Sequence, residues 1–513
     1  MTAPQPNPAR RDDKASAGAA SGAGTKTRVR REPNRWAVLA LLGVAQLMVT
    51  LDVTIVNIAL PSAQRALHFS TDSRQWIITA YALAFGSLLL LGGKLGDLFG
   101  RKPAFVAGLV GFSVASAIGG EAQSFAMLVA ARALQGAFGA LLAPSALSLL
   151  TVSFAGSPDR PKAFGIFGAI TAGGASFGLL LGGVLTQMLS WRWCLYVNLA
   201  IAVPTTTVAI RLLVNHRPDI RPRIDVPGVV AISSGLFALV YGFSNAESHS
   251  WSALLTVVAL CASAVLISTF VAIERRVRQP LLPLSVVSDR ARGGAFLSIA
   301  FAGSGPFAVF LFLSFYLQRD LNLSPVMTGL AFLPLTGAVG ITATFVQTRV
   351  VAHTGAKPLV MGGMSLGVIA MVVFTQLSTG SAYVTGILPG LILLGVGMGC
   401  IFAPAFSTAT LGVSRQTAGV ASAMVNTSQQ VGGSIGVSIL STVYASAVAG
   451  YADHVAPRAS GVAAMIHGDT EVFVWAAGMF GIGLILALVV LPVRHGRDVE
   501  ADAGGLVEAP DLR

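Results

Sequence analysis

The stretch Leu51–Pro61, LDVTIVNIALP, places one carboxylate inside an apolar segment that begins at Trp36. A charged side chain at bilayer depth costs roughly 2.5 to 3.5 kcal/mol on insertion scales, and proteins that keep one there generally use it to handle an ion or a substrate. Asp52, the acid in this stretch, is therefore the first candidate functional residue of the chain.

The composition of the whole chain indicates an integral membrane protein. Of its 513 residues, 54% are hydrophobic and 11% are charged, and the mean hydropathy is +0.73. Water-soluble globular domains of this size carry far more charge. Apolar runs of roughly 18 residues or more, long enough to cross a bilayer as helices, recur from Trp36 to Pro492. We therefore predict an all-α membrane protein with the lipid bilayer as a partner.

The apolar runs predict fourteen transmembrane helices between residues 36 and 493, and an even number places both termini on one side. Arg132 is the only basic residue placed well inside a span. Of the other Lys and Arg residues, few fall on the side away from the termini: Arg65, Arg74, Arg192, Arg319 and Arg458. The positive-inside rule therefore predicts that both termini are cytoplasmic. The segment 449–470, the least apolar outside the tails, is predicted to be an outer loop with no assigned structure.

A faint internal repeat predicts how the helices are grouped. The sequence Gly100–Pro103 is echoed by Gly355–Pro358, and Gly139–Pro144 is echoed by Gly399–Pro404. These offsets fit a repeat of six helices with two helices inserted between the copies, as in the major class of transporter folds built from repeats. The predicted divisions are a disordered basic tail at 1–35, a six-helix bundle at 36–214, two inserted helices at 226–274, a second bundle at 293–493 and a cytoplasmic tail at 494–513.

Asp52 and Arg132 are predicted to lie at similar depths in the membrane. At 1.5 Å per residue, Asp52 is roughly 13 Å from the outer end of the first helix and Arg132 is roughly 10 Å into the fourth. They are the only ionisable residues that we place well inside a span, so we expect them to pair across a central cavity. Protons and cationic substrates would then compete for the carboxylate, which Arg132 holds in their absence. A purely structural salt bridge is the alternative.

The loop between the second and third helices is predicted to be an inner gate. Glycines permit a tight turn and close helix approach, while the acid can cap a helix N-terminus and pair with the arginine four residues later. An ordinary basic inner loop is the alternative interpretation. The candidate gate residues are Gly93, Asp97, Gly100, Arg101 and Lys102.

The fifth helix and several polar residues are further candidates. Glycines near one face of the fifth helix permit a second helix to pack or slide there: Gly174, Gly178, Gly182 and Gly183. Uncharged polar residues at or near span depth either line a cavity or hydrogen-bond between helices, and both interpretations stay open. The cavity candidates are Gln46, Asn57, Gln135, Asn426 and Gln429, and the remaining polar residues of this kind are Asn198 and Gln430.

Missing motifs exclude several functional classes. The sequence has no GxxxxGK[ST], HExxH or GxSxG motif, so we predict neither an ATP-driven pump nor an enzyme, and no cofactor. Cys194, Cys261 and Cys400 have no CxxC spacing, and neither a metal site nor a disulfide is expected. The net charge is +12, but the basic residues sort by side of the membrane, and this distribution explains them without a nucleic-acid partner.

At these residues the chain resembles the major facilitator superfamily and, within it, the fourteen-helix drug:proton antiporters. Leu51–Pro61 is similar to that family's first-helix signature, and Gly93–Lys102 to the superfamily's inner-loop motif, where it implies a conformational latch. Arg132–Gly136 is similar to the fourth-helix motif, where it implies an arginine that takes part in proton transfer. The fifth helix departs from the antiporter motif, because Leu179 stands where the family usually has proline. Ala200 likewise replaces a common proline.

The resemblance implies a monomeric, proton-driven exporter of small amphipathic or cationic compounds in the cell membrane, which works by alternating access. Two alternatives stay open. One is an exporter or proton symporter of an endogenous metabolite or lipid, and the other is a membrane sensor or scaffold without transport. The second gives no account of why Asp52 and Arg132 have similar depths.

Overall fold

The computed structural model describes residues 34–69, 75–214, 225–248, 250–277, 280–378, 380–413, 417–454 and 461–492, and all regular elements in these ranges are helices. The first eight are α1 (Arg35–Leu67), α2 (Gln75–Phe99), α3 (Arg101–Gly120), α4 (Phe125–Ser153), α5 (Arg160–Met188), α6 (Trp193–Leu212), α7 (Val226–Ser248) and α8 (Leu254–Glu274). Of the predicted tails, residues 1–33 and 493–513 lie outside these ranges.

Shorter helices are more frequent in the rest of the chain. They are α9 (Leu284–Ser288), α10 (Arg290–Ala308), α11 (Ser314–Arg319), α12 (Pro325–Ala331), α13 (Leu333–Phe345), α14 (Val351–Thr354), α15 (Ala356–Phe374), α16 (Leu388–Ala409), α17 (Ala418–His454) and α18 (Gly461–Val490). Three π-helical turns continue or precede these helices: Val309–Leu313, Val346–Val350 and Tyr383–Ile387. The first and second π turns are contiguous with the α-helices on both sides, so each forms one uninterrupted helix with them. Such π turns are frequent at functional sites.

Thirteen helical segments in the described ranges are long and apolar enough to cross a membrane. Several combine an α-helix with a π turn, for example Arg290–Arg319 and Tyr383–Ala409. In α5 the apolar segment is shorter and covers Phe177–Met188. The all-α class of the sequence prediction is therefore confirmed, with thirteen candidate spans in the described residues.

Contacts near the first residues of α1 and of α15 define one end of the helix bundle. Trp36 packs edge-on against Phe154 at the end of α4, with ring centroids 5.8 Å apart. Lys357 at the start of α15 donates a hydrogen bond to the carbonyl of Leu488 near the end of α18, at 2.7 Å. We call this end proximal and the opposite end distal.

The helices pack in two groups. In the first, α2 and α3 pack on α4, α1 packs on α5, and α3 packs on α6; in the second, α15 packs on α16 and α18, and α10 packs on α17. α7 and α8 pack on each other, and α7 also contacts α2 and α17. The groups meet where α5 contacts α13 and α16 and where α2 contacts α17. Asp52 and Arg132 both belong to the first group.

The segment 449–470, for which no structure was predicted, is largely helical. α17 has 37 residues and continues to His454, and α18 begins at Gly461. A helix of this length spans roughly 55 Å at 1.5 Å per residue, well beyond the roughly 30 Å of a bilayer core. The prediction stopped the helix where the hydrophobic run ended, but backbone hydrogen bonding does not depend on hydropathy.

Candidate functional site

The centre of the first helical group holds a buried ion pair. Asp52 on α1 is completely buried, and Arg132 on α4 is 2% exposed. The Nη1 of Arg132 donates to the Oδ2 of Asp52 at 2.5 Å. A charge removed from water at this depth needs a partner, and each of these residues supplies it for the other.

Two amides complete the coordination of the carboxylate. Gln135 on α4 and Asn198 on α6 both donate to the Oδ1 of Asp52, at 2.6 and 2.7 Å. The same two amide nitrogens donate to the Oγ of Ser116 on α3, at 3.1 and 2.9 Å, and this hydroxyl donates to the carbonyl of Leu195. The carboxylate on α1 therefore accepts from three donors on α4 and α6, and α3 supports the two amides.

Arg132 is oriented by contacts other than the acid. Its Nη1 also donates to the Oε1 of Gln135 at 2.7 Å, and its Nε donates to the carbonyl of Ile77 at 3.4 Å. The guanidinium lies over the ring of Tyr81, 4.4 Å from the centroid, which is a favourable cation–π geometry. The Tyr81 hydroxyl and the Oδ1 of Asn198 are buried without a hydrogen-bond partner among the described residues.

A small apolar pocket lies on the distal side of Arg132. It separates the ion pair from the distal end of the bundle, so water reaches the pair from that side only past hydrophobic side chains. Its walls come from α1, α2, α4 and the α5–α6 connection with the start of α6, and are formed by Val56, Ala59, Leu60, Ala63, Ile77, Leu128, Arg132, Trp191 and Leu195.

Of the four cavity candidates whose side chains the structure describes, Gln135 is the one in this cluster. Asn426 on α17 donates to the carbonyl of Ser422 on its own helix at 2.9 Å. Gln46 is buried on α1, and Gln429 is half-buried on α17. The side chain of Asn57 lies outside the described part of the chain.

The predicted gate residue Asp97 contacts the second helical group. Its carboxylate accepts hydrogen bonds from the backbone N–H groups of Gly419 and Val420 at the start of α17, at 3.1 and 3.3 Å. Unpaired N–H groups and the helix dipole make such a helix start favourable for an anion. Arg101 lies 3.5 Å from the same carboxylate. Asp97 therefore links the two groups at the proximal end.

Other gate residues permit and support this contact. A Cβ atom added to Gly93 would lie only 2.6 Å from the carbonyl oxygen of Gly419, so α2 and α17 touch backbone to backbone. Gly100 precedes α3 with φ of 98°, a conformation that L side chains rarely adopt. Lys102 donates to the carbonyls of Ile210 and Leu213 at the end of α6, both at 2.7 Å.

The glycines of α5 face α1. Cβ atoms added to Gly174 and Gly178 would collide with Thr50 and Thr54, and one on Gly182 would approach Ile55. These three glycines therefore form a packing face between the two helices. Gly183 is also buried on α5.

The helices also bury ionisable residues other than Asp52 and Arg132. Asp469 is 1% exposed and lies within the candidate span Val462–Val490. Sequence reasoning placed this residue in a loop, because the hydrophobic run begins only after it. Lys94 and Glu274 are also buried, near the proximal ends of α2 and α8. Ser116 was missed for another reason: a single serine in a membrane helix gives no signal.

The comparisons with known proteins agree with this architecture. A family model described as Major Facilitator Superfamily matches residues 42–437. The chain belongs to the major facilitator superfamily. The human organic anion transporter MFSD10 has the same fold, with a TM-score of 0.61 at 16% identity over 89% of this chain and all of that one.

Curated relatives of this superfamily member span nearly its whole length. The puromycin resistance protein pur8 of Streptomyces alboniger is 45% identical over 90% of this chain and 92% of its own. The cephamycin export protein CmcT of Amycolatopsis lactamdurans is 36% identical over 84% of this chain and 89% of its own. This chain is therefore a multi-pass transporter of the cell membrane.

Proposed function

We propose that the chain exports small amphipathic or cationic compounds, antibiotics among them, across the cell membrane in exchange for protons. The observation that carries this proposal is the buried carboxylate of Asp52, held by Arg132, Gln135 and Asn198. The names of the relatives, which refer to antibiotic resistance and export, support the class of substrate. No cofactor is required, because the proton gradient supplies the free energy.

We also infer the membrane topology. α5 has 29 residues, roughly 44 Å at 1.5 Å per residue, and serves as the fourteenth span beside the thirteen apolar segments. The sidedness of Lys and Arg assigns the proximal end, and both termini, to the cytoplasm. The transporting unit is a monomer with six-helix bundles at 36–214 and 293–493, and with 226–274 inserted between them. The contacts of α7 with both α2 and α17 support this placement.

Alternating access follows from the contacts between the two bundles. Asp97 joins α2 to the start of α17, and Arg160 at the start of α5 donates to the carbonyl and hydroxyl of Thr410, at 3.2 and 3.1 Å. Both contacts lie at the proximal end, so in this state they close the cytoplasmic side. Opening that side requires both contacts to separate, and the close backbone contact of Gly93 with Gly419 is a surface on which α2 and α17 can slide.

The exchange step uses the charge balance at Asp52. In the present state the carboxylate is neutralised by Arg132 and satisfied by three donors. A proton that arrives from the distal side neutralises Asp52 and releases Arg132, whereas a cationic substrate competes with that proton for the same carboxylate. One site therefore cannot hold both ligands, which is the condition for antiport.

Everted membrane vesicles from a host without its own drug pumps test this function. The expected result for the wild type is substrate accumulation that depends on the proton gradient, with loss of that dependence in Asp52→Asn. Asp52→Glu is the matched control, since it keeps the acid and is expected to retain part of the activity. Full proton-driven transport by Asp52→Asn at normal expression would reject Asp52 as the coupling residue, and no transport of any tested antibiotic or dye by the wild type would reject drug export.

A further inference from the structure

A second buried charge cluster lies at the distal end of the second helical group. Arg319, the last residue of α11, donates through Nη2 to the Oδ2 of Asp469 on α18 at 2.9 Å. The same guanidinium contacts the Oδ2 of Asp320, at 3.0 Å. One cation therefore serves two acids that come from different parts of the chain.

The two acids are more deeply buried than their shared partner. The side chains of Asp469 and Asp320 are 1% and 3% exposed, whereas that of Arg319 is 25% exposed. The Oδ1 of Asp469 is buried and has no hydrogen-bond partner among the described residues. Two ionised carboxylates against one guanidinium leave a negative charge without a counterion, and an uncompensated buried charge is strongly unfavourable.

The surroundings of the cluster supply no second cation within the described residues. Tyr444 of α17 lies beside Arg319, and Tyr316 of α11 lies near Asp469 with its hydroxyl bonded to the carbonyl of Ser378. On α18 itself, His467 packs against the ring of Tyr451 at 5.0 Å and Glu471 borders a groove between α17 and α18. Among the described residues, the second carboxylate therefore has no counterion.

We propose that the Arg319–Asp320–Asp469 cluster is a second proton-binding site, which takes one proton from the distal aqueous side. The inference rests on the proposed function, because it assigns a proton source to the distal side. The free Oδ1 of Asp469 is the position that accepts the proton, which converts the carboxylate into a neutral acid. Arg319 then balances Asp320 one to one, and its partial exposure gives water a route to the cluster.

Protonation of this cluster affects the end of a helix that contains a π turn. The π turn Val309–Leu313 lies between α10 and α11, less than two turns before Arg319. Within that π turn, Phe312 packs on Tyr444 with ring centroids 5.3 Å apart. The bond from Arg319 to Asp469 therefore fixes the distal end of a helix that contains a π turn, and neutralising Asp469 weakens that link.

Infrared difference spectroscopy of the purified protein detects this proton without any transport. Isotope-labelled aspartate identifies the carboxylic C=O band that forms when the pH is lowered. We expect one such band to disappear in Asp469→Asn and to persist in Asp52→Asn. In Asp320→Asn, the matched control, Asp469 and Arg319 form a balanced pair, and the band is expected to require a lower pH.

The outcomes separate this inference from the proposed function. Proton-driven export with no Asp469 band, or with a band unchanged in Asp320→Asn, overturns the second site alone. A normal Asp469 band without any export overturns only the proposed function. Suppression of the band by added Na⁺ at constant pH, or by tetraphenylphosphonium in Asp52→Asn, shows that another cation competes for the carboxylate and overturns the assignment of this cluster as a site dedicated to protons.

Discussion

The two buried Asp–Arg clusters contain the same residue types but differ in charge balance. At the first, Asp52 faces Arg132 one to one, and its oxygens accept three hydrogen bonds. At the second, Arg319 serves both Asp469 and Asp320, and one oxygen of Asp469 has no partner in the described structure. The first cluster is balanced in charge without a ligand, and we call it complete. The second has one negative charge too many, and we call it incomplete.

This difference indicates different chemical behaviour. A complete cluster changes state only when a ligand displaces an internal partner, so that binding at Asp52 is coupled to release of Arg132. An incomplete cluster gains a proton without breaking its remaining ion pair. Charge balance and donor number, rather than the presence of an acid in the membrane, therefore decide which site can couple a proton to a substrate.

The largest effect is expected from removing the partner of the complete cluster. Arg132→Gln leaves Asp52 buried without a counterion, which costs about 3 to 5 kcal/mol in unfolding free energy. Proton-driven export should fall about 100-fold, a typical loss for a residue that acts in proton transfer. Thermal unfolding in detergent, followed by tryptophan fluorescence, and initial export rates in vesicles measure the two effects.

Arg319→Gln is the matched control for this prediction, because it removes the guanidinium of the incomplete cluster. The loss of stability should be smaller there, since Asp469 and Asp320 can share a proton. The double variant Asp52→Asn with Arg132→Gln should recover stability without recovering export. Equal destabilisation by Arg132→Gln and Arg319→Gln would contradict the proposed difference between the clusters.

A second substitution converts the complete cluster into an incomplete one. Gln135→Glu places a second carboxylate beside Asp52, with Arg132 as the only cation, and thereby reproduces the two-to-one balance. Export of cationic substrates should decrease about tenfold at neutral pH, because a hydrogen bond to a charged group, worth roughly 1.5 kcal/mol, is replaced by repulsion. An additional protonated acid should appear in the infrared spectrum.

Gln135→Met separates the added charge from the lost hydrogen bonds, because it removes the amide and adds no acid. Export by this variant should decrease, but its infrared spectrum should show no new carboxylic acid. If Gln135→Glu also showed no new acid and exported at the wild-type rate, charge balance would not control this site.

Much of the first cluster could be predicted from sequence, whereas the second could not. Asp52 and Arg132 stand out because each is a charge inside a long apolar run, so hydropathy alone identifies both. Asp469 precedes its hydrophobic run by only a few residues and therefore looks like part of a loop. In the structure α18 begins at Gly461, and tertiary packing buries the acid.

The remaining partners illustrate a second limit of sequence reasoning. Asn198 on α6 donates to Asp52, and Ser116 on α3 accepts from Asn198, although α3 and α6 are far apart in the chain. Small polar residues are common in membrane helices, and only the packing of helices decides which of them meet. Asp97 was predicted to cap a helix, but the identity of that helix as α17 depends on contact between the two groups.

A smaller effect is expected from removing one donor of the complete cluster. Asn198→Ala deletes the 2.7 Å hydrogen bond to Asp52 but leaves Arg132 and Gln135 in place. The loss should be about 1 kcal/mol, the usual net value of a hydrogen bond, and export should decrease roughly fivefold. Asn426→Ala is the matched control, because in the described structure the hydrogen bond of Asn426 lies within its own helix, and its loss should leave export unchanged.

The pH dependence of export by Asn198→Ala identifies the cause of its reduced rate. With one donor fewer, the ionised form of Asp52 is less favoured, so a proton should compete more effectively with the substrate and activity should need a higher pH. A uniform decrease at every pH would instead indicate damage to packing and would remove Asn198 from the coupling cluster.

The smallest effect on export is expected from completing the second cluster. Asp320→Asn gives Arg319 a single acidic partner and thereby imitates the balance at Asp52. Export driven through Asp52 should change by less than about twofold, because Asp320 belongs to the other helical group and substitutions at separate sites act independently. Proton uptake, measured with a pH-indicator dye in weakly buffered detergent solution, should nevertheless decrease by one proton per molecule. The control Asp320→Glu keeps the acid and should retain that proton. If Asp320→Asn instead lost export but kept the proton, Asp320 would belong to the transport path, and the two clusters would not have separate roles.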